Sequence, residues 1–150
     1  MAGPDKKDEK KKIEEAKKAV QGEVKKLAKN TKKNSDEAKK LVEEKKELAK
    51  KKKPGPEDKK RVKEVDKKLK VIEKSCKSEA DATAKRINRM LQTYVPDDKD
   101  ALPAWQKGMD KWYIDILNRE PGLDIGGGAR VNGQLSIKDK KAVIDFSWKW

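Results

Sequence analysis

Chemistry in this chain would have to come from lysines, carboxylates or a single cysteine, because none of its 150 residues is histidine. The commonest general base and the commonest metal ligand are therefore missing. Asp97, Asp98 and Asp100 invite a calcium reading, since closely spaced carboxylates open EF-hand loops. A loop begun at Asp97 would need Gly at position 102 and Glu at position 108, and the chain has Leu102 and Gly108. Capping of a following helix is the simpler role for these aspartates. Gly126, Gly127 and Gly128 fail the dinucleotide fingerprint, because Val131 stands where its third glycine belongs. No glycine-rich stretch leads into a Lys followed by Ser or Thr, so a phosphate loop is absent too, and a hinge is the expected role. Cys76 falls on an apolar helical stripe, which predicts a packed thiol rather than a nucleophile. We expect no enzyme, no catalytic residue, no metal and no cofactor.

The elements that would carry a non-catalytic function divide the chain in two. Charged residues make up 45% and apolar residues 33%, too little apolar content for one thick core. The excess charge is confined to residues 1–95, with 32 Lys or Arg against 18 Asp or Glu, whereas residues 96–150 hold nine of each. All seven aromatics lie from Tyr94 onward.

Ile13, Val20, Leu27, Asn34, Leu41 and Leu48 recur every seven residues, with Val24, Thr31 and Ala38 between them. This pattern predicts a coiled-coil helix over about 5–52. Asn30 to Glu37 resemble a helix break with Asn34 as N-cap, yet the apolar phase continues across them, so one helix is expected. Lys50 to Lys53, then Pro54, Gly55 and Pro56, then Glu57 and Asp58, punctuate a tight turn at 53–56. A second helix over about 57–95 carries Val62, Val65, Leu69, Ile72 and Cys76. It then shifts phase to Ala80, Ala84, Ile87, Leu91 and Tyr94, a four-residue stutter. The short turn makes the pair an antiparallel helical hairpin roughly 60 Å long.

After Pro96, Leu102, Trp105, Met109, Trp112, Ile116 and Leu117 predict an amphipathic helix over about 103–119, closed by Pro121 and Gly122. A hinge at 126–128 leads to two alternating strands, about 129–137 and 142–150. A turn at 138–141 would oppose Leu135 to Ile144, Gly133 to Phe146, Val131 to Trp148 and Ala129 to Trp150. Phe146 would then cover the gap at Gly133. The fold class is mainly α, a long antiparallel helical hairpin followed by an α-β-β module.

Three functions fit these elements. The first is a non-enzymatic scaffold, adaptor or assembly protein: the hairpin is a rigid spacer, and the module docks a protein partner or sister chains through Trp105, Trp112, Phe146, Trp148 and Trp150. The second is a membrane-active, toxin-like protein whose β-hairpins oligomerise, against which Lys138, Lys140 and Lys141 would have to cross the bilayer. The third is non-specific binding of nucleic acid or another polyanion by the lysine-rich helices. Lys50, Lys51, Lys52, Lys53, Lys138, Lys140 and Lys141 are the expected electrostatic contacts, whether to an acidic surface, an anionic membrane or nucleic acid. No small-molecule substrate is expected. Neither a secretory signal nor an apolar run of roughly 18 residues is present, which predicts a cytoplasmic protein or leaderless secretion.

Overall fold

The computed structural model describes residues 6–119 and 129–148. It is mainly helical, with α1 (Lys6–Ala49), α2 (Pro56–Tyr94) and α3 (Leu102–Arg119) followed by a two-stranded antiparallel sheet of β1 (Ala129–Ser136) and β2 (Lys141–Trp148). The helix is unbroken through Asn30 to Glu37.

α1 stops at Ala49, three residues before the expected end. Consecutive lysines repel one another at the helix terminus, and Pro54 cannot continue it. α2 opens on Pro56, and the Asp58 carboxylate accepts the Gly55 N–H at 3.0 Å. At its other end the Val95 N–H reaches Leu91 O at 2.9 Å, and Pro96 then prevents another turn.

Burial along α1 and α2 departs from a strict seven-residue repeat. On α2 the buried positions are Val65, Leu69, Ile72, Cys76, Ala80, Thr83, Ile87 and Leu91, with Ala84 beside them. Those steps of 4, 3, 4, 4, 3, 4 and 4 form an 11-residue repeat along the helix, and because Ala84 is buried too, the expected phase shift to Ala80, Ala84, Ile87 and Leu91 is met as well. On α1 buried Ile13, Ala16, Val20, Val24, Leu27, Thr31, Ser35 and Ala38 follow the same repeat, and buried Leu41, three residues on, departs from it toward the heptad. Ser35 takes the place in the seam that a heptad gives to Asn34. Asn34 is half-buried and donates through Nδ2 to Cys76 Sγ at 3.5 Å.

Partners across the two helices run in opposite senses: Glu23 with Arg86 at 2.7 Å, Asn34 with Cys76, and Lys45 with Asp66 at 2.7 Å. Around the end away from the turn the five elements close a circuit. α1 packs on α2, α2 on β2, β2 on β1, β1 on α3, and α3 back on α1. The circuit encloses the thick part of the core, including Val20, Ile87, Leu91, Trp105, Met109, Tyr113 and Ile144. From Asn34 and Cys76 toward the turn, the side-chain hydrogen bonds and ion pairs among the described residues join α1 and α2 alone.

The strand register corrects the expected one by two residues. Val131 faces Phe146, Gly133 faces Ile144, Leu135 faces Ala142 and Ala129 faces Trp148. The turn is 137–140, not 138–141. Ser136 Oγ donates to Asp139 Oδ2 at 3.1 Å and accepts the Asp139 N–H at 3.3 Å, while Lys140 N–H closes on Ile137 O at 3.1 Å. Closure requires Lys140 to adopt φ 51°, in the left-handed region. Because the slip is by two, the same residues keep the apolar face.

Candidate functional site

The aromatics of the final third fasten that third to the helix pair. Trp105 is fully buried, and its Nε1–H donates to Glu9 Oε2 at 2.7 Å, which ties α3 to the start of α1. One turn on, Gly108 lies against Ile13: a β-carbon there would stand 3.2 Å from Ile13 Cγ2. Trp112 is half-buried, with Lys17 Nζ 5.7 Å from the centre of its ring. That is cation–π distance. Tyr113 donates its hydroxyl to Val143 O at 3.1 Å, and burial pushes its phenol pKa up.

Gly133 is the socket into which α3 fits. A β-carbon on it would lie 2.1 Å from Leu117 Cδ1, 3.1 Å from Tyr113 Cε1 and 3.2 Å from Val143 O. The glycine gap is therefore filled by α3, not by Phe146. Phe146 is itself buried, on the same sheet face as Ile144 and Ala142. On the other helix, Asn88 Oδ1 accepts the Ala142 N–H, which holds β2 to α2.

Of the residues expected to contact partners, Trp105 and Phe146 lie in the core and Trp112 is at its edge. Trp148 ends β2 opposite Ala129, with its side chain outside the described residues, as are Trp150 and the 126–128 glycines. The expected electrostatic residues fall into two sets. Lys50 to Lys53 are exposed at the turn, where Lys51 pairs with Asp58 at 3.0 Å and Lys50 with Glu47 at 3.8 Å. Lys138 and Lys141 are exposed at the β-turn, where Lys140 pairs with Asp97 and holds that carboxyl below its usual pKa. Asp98 Oδ1 accepts the Asp100 N–H at 3.0 Å, so the aspartates organise the approach to α3.

Two concavities flank these contacts. A groove of about 730 Å³ runs between Ile13 and Lys17 of α1 and Ala104 and Gly108 of α3, and one of about 470 Å³ lies between Leu102, Gln106 and Lys140. Among the described residues no group of three or more His, Cys, Asp or Glu is placed to hold a metal, and no helix is long and apolar enough to cross a membrane. Cys76 is fully buried, and burial pushes its thiol pKa up to about 11, which keeps it protonated and unreactive.

Sequence reading missed the charged face with the least compensation. Lys59, Lys63, Lys67, Lys70, Lys74, Lys85 and Arg89 are all exposed, and none forms an ion pair with a described residue. Their spacing copies that of the seam, so they line the side of α2 turned away from α1, over about 45 Å at 1.5 Å per residue. Ser78 and Asp81 fill the gap, Asp81 being the acid on that line. The corresponding line on α1 carries Lys11, Lys18, Lys25, Lys29, Lys33 and Lys40 but also Glu14 and Asp36. The 11-residue step from Lys63 to Lys74 to Lys85 was the available signal. No protein-family model, curated protein or solved structure matches this chain.

Proposed function

We propose that this protein is a non-enzymatic scaffold in which α1 and α2, an antiparallel coiled-coil hairpin, act as a rigid spacer held at its open end by the α-β-β module. The observation that carries this reading is the unequal use of apolar side chains. Trp105, Met109, Tyr113, Ile144 and Phe146 are spent on fastening the circuit of five elements, while the rest of the hairpin projects as a charged arm. From Asn34 to Ala49, beyond the circuit, α1 extends about 22 Å, so the arm supplies reach. The burial of Ala142, Ile144 and Phe146 weighs against a membrane-inserting β-hairpin, because that apolar face is already covered. Docking falls instead to exposed groups on the arm and at the rim of the module.

An arm that works as a spacer must have the right length. Inserting one 11-residue repeat into each helix, at matched heights, lengthens it by about 16 Å and leaves the phase of the seam unchanged. The expected result is a protein of unaltered helicity and melting temperature that no longer supports its function in the native cell. Full function from the lengthened protein would overturn the spacer reading and place the activity in the module.

A further inference from the structure

We infer that the outer face of α2 is a docking strip for a flat anionic lipid surface. The inference rests on the hairpin reading above, because the strip's direction is set by the seam behind it. Seven exposed cations unpaired among the described residues stand on one line of about 45 Å with a single acid among them. That is a local concentration of field.

Its shape selects the partner. An 11-residue repeat drifts only about 20° per repeat from a straight helix, and at about 100° per residue the seven cations spread over roughly 120°, each within about 60° of a common line. Flexible lysine stems accommodate that range. A plane of anionic headgroups can meet all seven at once. The phosphate ridges of a DNA duplex make a full turn in about 34 Å, so a duplex meets the same line at only a few crossings. The strip also carries one arginine and no aromatic side chain, which leaves nothing for base stacking. Val71, 65% exposed, lies between Lys67 and Lys74 and offers an apolar contact at the headgroup level.

The test is co-sedimentation of the full chain with phosphatidylserine-containing vesicles, with phosphatidylcholine vesicles as control, at low and high salt. Binding should require phosphatidylserine and be released by salt. Changing Lys59, Lys63, Lys67, Lys70 and Lys74 to Gln should weaken it on the order of a thousandfold, at about fivefold per lysine. The same five changed to Arg should bind as the parent does. A control with Lys18, Lys25, Lys29, Lys33 and Lys40 changed to Gln has the same net charge and should lose less than about tenfold. Circular dichroism checks that each variant is folded, and lysine and glutamine have similar helix propensity. Equal losses from the two glutamine variants, no binding by the parent protein, or tighter binding to duplex DNA than to vesicles at one salt concentration would each overturn the inference. The lengthened arm keeps the seven cations, so its vesicle binding is judged separately from its performance as a spacer.

Discussion

Gly133 and Leu117 are in such close register that a single methyl group on the glycine would lie 2.1 Å from Leu117 Cδ1. The sheet and α3 approach each other here because one residue has no side chain. Gly133→Ala should cost about 1–3 kcal/mol by overpacking, seen as a lower denaturant midpoint with an unchanged slope. Leu117→Ala costs more on its own, but the double variant should be more stable than the sum of the two losses, because each substitution relieves the other.

The buried bond from Trp105 to Glu9 gives a second test. Glu9→Ala leaves the indole N–H without its acceptor and should cost about 1–3 kcal/mol, lowering Tm by about 2–4 °C for each kcal/mol at this chain length. Glu9→Gln retains an oxygen at that position and should lose about half as much or less.

Thr31 Oγ1 and Ser35 Oγ are buried in the α1–α2 seam without a hydrogen-bond partner. Thr31→Val should therefore raise stability by about 1 kcal/mol, and Ser35→Ala should be neutral or better. If the polar layer also fixes the pairing of the two helices, the double variant will melt higher but show additional species in size-exclusion chromatography.

Stability should fall at both extremes of pH, for opposite reasons. Glu44 beside Arg61, Asp58 beside Lys51 and the Gly55 N–H, and Asp97 beside Lys140 all have lowered pKa values. Their contribution is complete above the ordinary values of 4.5 and 3.8 and is lost as pH falls through the lower folded values. Cys76 is raised from 9.0 to about 11 by burial, so its contribution is complete below pH 9 and declines as pH rises toward 11. Cys76→Ala should flatten the melting temperature between those two values and leave the acid limb unchanged. Tyr113, raised above 10 for the same reason, maintains a residual loss at higher pH.

The helices were legible in the sequence because their boundaries are local. Pro54 to Asp58 stop one helix and start the next, and Pro96 ends the second. The apolar faces of the strands were legible for the same reason. The strand register was not, because it turns on Lys140 adopting a left-handed conformation, and lysine carries no bias toward it. The seam was read as a heptad because Ile13, Val20, Val24 and Leu27 satisfy both repeats and Leu41 satisfies the heptad alone. Ala16 and Ser35, small residues with a weak apolar signal, mark the 11-residue steps. The burial of Trp105 depends on Glu9, 96 residues away, and the strip on α2 is a pattern of exposed residues that a search for apolar periodicity passes over.

The union of Glu9 with Trp105 also imposes an order on biosynthesis. A ribosome releases the chain from the amino end, and domains close as their parts emerge. Most of α1 can pair as soon as α2 is out, but its opening turns then wait, with Glu9 and Ile13 uncovered, until α3 has been made. β1 and β2 follow α3 and close the circuit. The opening turns of α1, made before α3, are thus sealed late, and a chain truncated ahead of α3 would present them to whatever surveys nascent chains.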